Sequence, residues 1–295
     1  MTKALVLSGG GSVGIAWQTG LAAGLRRKGV DLAEARFIVG TSAGSAVGAQ
    51  LALGRDPEEQ VRRYGEATGR TGEDPTSTGG GAGASMAERM AQMMQLMADT
   101  AESDPEERRR AIGRFALESD ALDEERFVSV FRYLRGERWP ERYACTAVDA
   151  ESGEFKVWDE EAGVELDRAV ASSCCVPGLF SPITIAGRRY MDGGMRSGAN
   201  ADLAVGHDLV LIVSLMSGAR LAQGDPRMAR MLEVAEAERR VLTEAGASVE
   251  VVTPDEGAAR VMGINLMDAS IAPAAALEGV RQGEEIAEQV GRYWA

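Results

Sequence analysis

One serine in this sequence stands where a nucleophile would be expected. A short apolar run at residues 37–39 leads into Gly40-Thr41-Ser42-Ala43-Gly44, and a small-residue helical pattern follows at 45–53. A strand, a Gly-x-Ser-x-Gly turn and a helix in this order are typical of a nucleophile elbow, in which only glycines fit beside the serine. The first N–H groups of the next helix favour negative charge in the same space. The sequence therefore predicts a reactive Ser42 hydroxyl, held clear of the backbone at the carboxyl end of a strand.

A glycine-rich turn follows the first strand candidate, at residues 4–7. Between this strand and a helical pattern at 15–27 lie four glycines: Gly9, Gly10, Gly11 and Gly14. Backbone N–H groups in such a turn are unshielded, so a substrate oxygen can reach them. The spacing also satisfies the Gly-x-Gly-x-x-Gly dinucleotide fingerprint, but the second strand ends in Gly40 and Thr41 instead of the acidic residue that would hold a ribose. We therefore favour a site for a substrate oxygen over a dinucleotide site.

A carboxylate partner for Ser42 is offered by Asp192. It begins the Asp192-Gly193-Gly194 turn after a strand candidate, where neighbouring side chains cannot crowd it. The chain's one histidine, His207, precedes the strand candidate 209–215 and so belongs to its amino end, whereas ligands gather at carboxyl ends in open α/β sheets. We predict a Ser42–Asp192 pair. A Ser42-Asp192-His207 triad, in the chain order of α/β-hydrolases, is the alternative.

Strand and helix patterns alternate along the chain, which predicts a three-layer α/β/α fold with a mainly parallel central sheet. The strand candidates are residues 4–7, 35–39, 142–148, 209–215 and 248–252, with shorter, antiparallel pieces at 155–158 and 183–190. Asp56 and Asp104, each followed by proline, are typical N-caps. Long helices are predicted from Pro226 to Ala245 and from Pro273 to Tyr293.

Residues 55–140 are predicted to form a helical insertion within one domain spanning 1–295. The insertion contains a glycine-rich, flexible segment at 71–85. Methionines then recur at helical spacing and define one face of a helix: Met86, Met90, Met93, Met94 and Met97. We favour a stripe that faces the core. The alternative is a lid over the active site, because methionine adapts to varied apolar partners.

Composition excludes several classes of protein. The 295-residue chain is 45% hydrophobic and 26% charged, with a net charge of -13, which argues against nucleic acid binding. No apolar run approaches the ~20 residues that span a bilayer. The amino terminus lacks a secretory pattern, and Cys145, Cys174 and Cys175 make no disulfide framework. We therefore expect a cytoplasmic protein, with transient apolar contact with a lipid surface left open.

The three motifs together resemble those of the patatin-like phospholipase family. That family has a Gly-Gly-Gly-x-Arg/Lys-Gly loop, a Gly-x-Ser-x-Gly elbow and an Asp-Gly-Gly/Ala motif, matched here at residues 9–14, 40–44 and 192–194. Residues 171–182 are similar to the family's small-residue helix and Pro-Gly-Phe turn. The resemblance covers residues 3–54 and 142–295.

The resemblance implies a serine acyl hydrolase of the phospholipase A, lipase or esterase type. Ser42 would be the nucleophile and Asp192 the base. The N–H groups of the oxyanion hole would come from three residues: Gly10, Gly11 and Ala43. The motif glycines would be Gly9, Gly14, Gly40, Gly44, Gly193 and Gly194. The family's chemistry implies a lipid or other acyl-ester substrate, no metal and no cofactor, and we expect no calcium requirement.

One position departs from the family pattern. Val13 stands where the family usually carries Arg or Lys, a cation that would lie near the oxyanion or a phosphate head group. The change puts a preference for phospholipids in question while leaving the backbone donors intact. It also keeps open a non-catalytic lipid- or acyl-binding protein on the same scaffold.

Overall fold

A computed structural model describes residues 1–67, 85–215 and 226–294. Its strands are β1 (Lys3–Leu7), β2 (Phe37–Gly40), β3 (Tyr143–Asp149), β4 (Phe155–Trp158), β5 (Ile183–Ile185), β6 (Arg188–Asp192), β7 (Leu209–Val213) and β8 (Ser248–Val252). Its helices are α1 (Gly11–Arg27), α2 (Ala43–Ala52), α3 (Pro57–Ala67), α4 (Met86–Asp99), α5 (Pro105–Glu118), α6 (Glu124–Val128), α7 (Leu166–Ser173), α8 (Pro226–Glu244), α9 (Glu256–Met262) and α10 (Ala272–Trp294). None of the helices in these ranges combines the length and the apolar character that a bilayer crossing needs.

The fold class predicted from the sequence is confirmed as mixed α/β, with a central sheet flanked by helices. The described residues form two compact units. The first unit comprises residues 1–67, 142–144, 197–215 and 226–294, and the second comprises 85–141 and 145–196. The single domain spanning 1–295 and the lid within 55–140 stay predictions. The predicted flexible segment lies outside the described residues, apart from Ser85.

The first unit contains the parallel part of the sheet, with strand order β2–β1–β7–β8. Leu5 of β1 pairs with Ile38 of β2 on one side and with Leu211 of β7 on the other. All three side chains are fully buried, as expected for parallel strands covered on both faces. Since parallel strands end at the same edge of a sheet, the turns after β1, β2 and β7 meet there.

Helices α1 and α10 of the first unit pack closely through glycines. A Cβ atom on Gly20 or Gly24 of α1 would overlap backbone atoms of α10, and one on Gly279 of α10 would overlap backbone atoms of α1. A buried hydrogen bond of 3.2 Å from Trp17 Nε1 to Gln282 Oε1 fixes the helices further. Because backbones in this close contact cannot slide without clashes, α1 is held firmly behind the glycine loop at its start.

The second unit contains antiparallel strands, in the order β4–β3–β6–β5. Residues 183–190, predicted as one strand, instead form the β5–β6 hairpin. Ala186 and Gly187 make its two-residue turn, with φ angles of 50° and 78°. A tight turn with two positive φ angles matches the right-handed twist of the flanking strands. The single-strand prediction is therefore wrong, and β6 runs on to end at Asp192.

Helix α4 of the second unit carries the methionines. Its first turn is closed by a capping box between Ser85 and Glu88. Met93 is buried, and Met97 packs against a core cluster that includes Ile112, Val148 and Met191. Arg89 holds the helix to the segment that follows α7, because its Nε donates to the Gly178 carbonyl oxygen at 2.7 Å. Part of the methionine face thus belongs to the core of this unit.

Candidate active site

Ser42 occupies a strained turn between β2 and α2. Its φ and ψ angles are 52° and -121°, a combination that residues with a side chain seldom adopt and that costs about 1–3 kcal/mol. The turn is over-determined by hydrogen bonds: Thr41 N donates to Leu7 O at 3.0 Å, and Ser45 Oγ donates to Ser42 O at 2.6 Å. The predicted elbow geometry is therefore present at the carboxyl end of β2.

Glycines flank the elbow because the backbone approaches other backbone there. A Cβ atom on Gly40 would overlap the carbonyl group of Gly44, and one on Gly44 would overlap the carbonyl group of Leu7 in β1. Gly44 N also donates to Ser8 O at 3.0 Å, which fixes α2 to the residue that follows β1. Any side chain at either position would push the serine away from the glycine loop.

Gly44→Ala is therefore expected to lower the free energy of unfolding by about 3 kcal/mol or more, since backbone cannot relax as a side chain does. Gly65→Ala is the matched control: Gly65 also lies in a helix, and nothing lies within 4 Å of its added Cβ atom. The control should be neutral or slightly stabilising. Chemical denaturation of the two variants measures both effects. Equal stability of the two variants would contradict the described elbow packing.

The glycine loop passes beside Ser42 at Gly9. Gly9 N donates to Gly198 O at 2.9 Å, and a Cβ atom on Gly9 would lie 3.9 Å from Ser42 Oγ. Within the described part of the chain, the N–H groups at the start of α1 and α2 that meet no hydrogen-bond acceptor include those of Gly10, Gly11 and Ala43. Unsatisfied N–H groups at two helix starts form an environment suited to a negatively charged oxygen.

Ser8 links the glycine loop to its surroundings and was not singled out from the sequence. Its carbonyl oxygen accepts hydrogen bonds from Gly44 N at 3.0 Å and from Gln18 Nε2 at 2.9 Å. Its Oγ accepts from Leu215 N at 3.0 Å. One buried residue thus ties the loop to the elbow and to the chain after β7. Its place directly between a strand and the glycines was the available signal.

A second positioning cluster was also missed. Asn200 is fully buried at a φ of 52°, and its Nδ2 donates to Thr41 Oγ1 at 3.0 Å and to Ser197 O at 2.8 Å. Thr41 Oγ1 in turn donates to Ala199 O at 3.3 Å. Segment 197–200 therefore fixes the residue before Ser42. No local pattern in the sequence indicates this contact.

Asp192 ends β6 in the second unit and is 3% exposed. Its Oδ1 accepts from Gly194 N at 2.7 Å, and its own N–H donates to Cys175 O at 2.9 Å. Gly193 has no room for a side chain, because a Cβ atom there would overlap Thr146. Burial, and then the negative charge of Asp192, raise the pKa of the Cys175 thiol. Asp192 belongs to the second unit and Ser42 to the first, so their predicted pairing stays a prediction.

His207 lies away from the elbow. Its ring stacks on Phe37, with centroids 5.3 Å apart, and its Nδ1 is 3.1 Å from Ala204 O. Phe37 begins β2, whereas Ser42 follows the end of that strand. Five residues of extended chain correspond to about 16 Å, so the imidazole and the hydroxyl lie at opposite edges of the sheet. This arrangement does not support the triad alternative.

Val13 brings no charge to the site. Its side chain is fully buried in α1, and its N–H donates to Leu266 O at 3.1 Å. The position that matches the cation of the family motif is therefore a buried, uncharged side chain in this protein. Across the described ranges, no group of three or more His, Cys, Asp or Glu side chains is arranged to hold a metal ion.

Solved structures that match this chain include VipD from Legionella pneumophila. It shares 14% identity, with 98% of this chain and 67% of that chain covered at a TM-score of 0.43. The type III effector ExoU shares 17% identity, with 98% and 53% covered at a TM-score of 0.40. This chain thus spans about half to two thirds of the length of those chains. No significant match was found among curated proteins.

Sequence families give a more direct result. The family model described as patatin-like phospholipase matches residues 5–205, about two thirds of the chain. The matched region contains the glycine loop, the Ser42 elbow and the Asp192 motif. The family match and the three motifs thus indicate the same family. The chain belongs to the patatin-like phospholipase family.

Proposed function

We propose that this protein is a serine hydrolase that cleaves the carboxylic ester bonds of lipids. Ser42 is the nucleophile and Asp192 is the general base. The observation that carries the proposal is the strained Ser42 turn, next to which the glycine loop passes at Gly9. The N–H groups of Gly10, Gly11 and Ala43, which meet no acceptor within the described ranges, support it as candidate oxyanion donors. Membership of a family of lipid acyl hydrolases supports the same chemistry.

In the proposed acylation step, Ser42 Oγ forms a bond to the carbonyl carbon of the ester while the Asp192 carboxylate takes the hydroxyl proton. The electron pair of the carbonyl double bond moves to the oxygen, and the resulting oxyanion accepts hydrogen bonds from Gly10 N, Gly11 N and Ala43 N. Collapse of this intermediate breaks the bond to the alcohol oxygen. The alcohol leaves with the proton from Asp192, and an acyl-Ser42 ester remains.

In deacylation, water replaces Ser42 as the attacking group and Ser42 becomes the leaving group. Asp192 takes a proton from the water as the water oxygen bonds to the acyl carbon. The second oxyanion that results accepts hydrogen bonds from the same three N–H groups. When this intermediate collapses, the bond to Ser42 Oγ breaks and the carboxylic acid is released. Ser42 recovers its proton from Asp192, so the enzyme returns to its starting state.

The backbone donors must supply much of the rate in this scheme. An aspartate in water has a pKa of about 3.9, so it is a weak base towards an alcohol. A single oxyanion donor contributes roughly 2.7–4 kcal/mol in serine hydrolases, because it is pre-oriented and screened from water. Three such donors can therefore offset a weak base. The low exposure of Ser42, 8%, is consistent with a water-poor site.

A panel of chromogenic acyl esters tests the proposal. The wild-type protein is expected to hydrolyse them, and His207→Ala should retain at least about half of the wild-type kcat/KM, because His207 lies at the far edge of the sheet. Circular dichroism of both proteins controls for folding. A loss above 100-fold in a folded His207→Ala variant would refute the dyad in favour of a triad. A folded wild-type protein that hydrolyses no ester would indicate an acyl-binding protein instead.

A further inference from the structure

A short apolar segment between α9 and α10 lies on the glycine loop. We call Ile264, Leu266 and Met267 the apolar lip. Ile264 is 100% exposed, and Leu266 and Met267 are half-buried. Residues 263–267 carry no charged side chain. When apolar material covers a fully exposed isoleucine in an uncharged surface segment, apolar area is removed from water and no charged group is desolvated. The lip therefore suits an apolar ligand.

Two residues of the lip, Leu266 and Met267, contact the first turn of α1 directly. Leu266 O accepts hydrogen bonds from Val13 N at 3.1 Å and from Ser12 Oγ at 3.4 Å. A Cβ atom on Gly11 would lie 2.5 Å from Leu266 O and 2.7 Å from Met267 Sδ. The methionine sulfur therefore packs against the residue whose N–H is one of the proposed oxyanion donors.

The lip is also a defined turn. Met267 N donates to Asn265 Oδ1 at 3.2 Å, and Asp268 N donates to Asn265 O at 3.2 Å. Asp268 Oδ1 then accepts from Ser270 N at 3.0 Å, which caps the short turn before α10. These bonds hold Leu266 and Met267 at one place beside Gly11, as a binding surface requires.

We propose that the apolar lip binds the hydrocarbon chain of the acyl group, so that its three side chains determine how kcat/KM depends on acyl-chain length. This inference rests on the proposed function. If the carbonyl oxygen of the ester is bound at Gly10 and Gly11, the carbonyl carbon lies one bond away from that oxygen. The acyl chain begins at this carbon and must therefore pass within a few bond lengths of Gly11. The flexible side chain of Met267 suits chains of varied shape. Each methylene buried there should raise kcat/KM up to about fourfold.

The test is a series of p-nitrophenyl esters with acyl chains of 2, 4, 8 and 12 carbons, used below their micelle-forming concentrations. For wild type, kcat/KM should rise with chain length. Met267→Gln and Ile264→Gln should lower the ratio of kcat/KM for the eight-carbon ester to that for the two-carbon ester by about tenfold. Met267→Leu should preserve the ratio. Leu277→Gln, at a 65% exposed position in α10, is the matched control and should leave it unchanged.

Three further outcomes separate the inference from the proposed function. If wild type hydrolyses the two-carbon ester and the lip variants keep the wild-type ratio, the lip inference fails while the hydrolase proposal stands. The same conclusion follows if the variants respond to the length of the alcohol chain in butyrate esters, because the lip would then bind the leaving group. If wild type hydrolyses none of the esters, the proposed function fails and the lip inference fails with it.

Discussion

Replacing Ser42 by alanine is expected to lower kcat/KM for ester hydrolysis by at least about 10⁴-fold, to the level of the uncatalysed background. The variant loses the atom that forms the acyl-enzyme bond, and water attacking directly would have to cross a much higher barrier. Removing the nucleophile of a serine protease costs about 2 × 10⁶ in kcat, which sets the scale. The measurement is hydrolysis of a chromogenic ester under saturating and subsaturating conditions.

The folding of the Ser42→Ala variant is expected to be close to wild type. The strained φ angle belongs to the backbone, and alanine retains it because Thr41 and Ser45 still form their hydrogen bonds. Ser129→Ala is a matched control, since Ser129 Oγ forms a local hydrogen bond to Arg126 O at the surface. This control should keep full activity. More than about 1% of wild-type activity in pure Ser42→Ala protein would contradict the assignment of the nucleophile.

Asp192→Asn is expected to lower kcat/KM by about 10³-fold or more. The amide has the shape of the carboxylate, and its oxygen can still accept the hydrogen bond from Gly194 N, so the turn after β6 should persist. The amide cannot take a proton from Ser42, and general bases contribute roughly 10²–10⁴-fold to catalysis. Kinetics with the two-carbon ester measure this loss with the least contribution from chain binding.

The second unit offers a matched control for the same chemical change. Asp104 caps α5 by accepting hydrogen bonds from Glu106 N and Glu107 N, and asparagine caps helices about as well as aspartate. Asp104→Asn should therefore keep both stability and activity. If Asp192→Asn were as active as Asp104→Asn, the dyad would be refuted, whatever the state of Ser42.

The site could be predicted from the sequence where its geometry depends on residues that are neighbours in the chain. Strand, glycine and serine follow one another within a few residues around Ser42, and the elbow geometry follows from that order. The strands β4 and β8 have the bounds that the sequence predicts, 155–158 and 248–252. Helix α1, predicted from residue 15, begins at Gly11 instead. Its first turn is stabilised by Leu266 O, which lies far along the chain.

The residues that position the site could not be predicted from the sequence, because each contacts a residue far away along the chain. Asn200 and Thr41 are 159 residues apart, and Ser12 and Leu266 are 254 residues apart. Neither pair lies in a periodic pattern or a turn motif, so only the tertiary structure brings them together. The β5–β6 turn was missed for a different reason: alanine, not glycine or asparagine, occupies its first positive-φ position.

Labelling with an alkyl fluorophosphonate, followed by mass analysis of the digested protein, tests the central proposal most directly. Such probes phosphonylate an activated serine, so one adduct on Ser42 is expected in the wild-type protein. Asp192→Asn should react far more slowly, and Ser42→Ala should carry no adduct. A folded wild-type protein that acquires no adduct on Ser42, or that loses activity through labelling of another residue, would contradict the account.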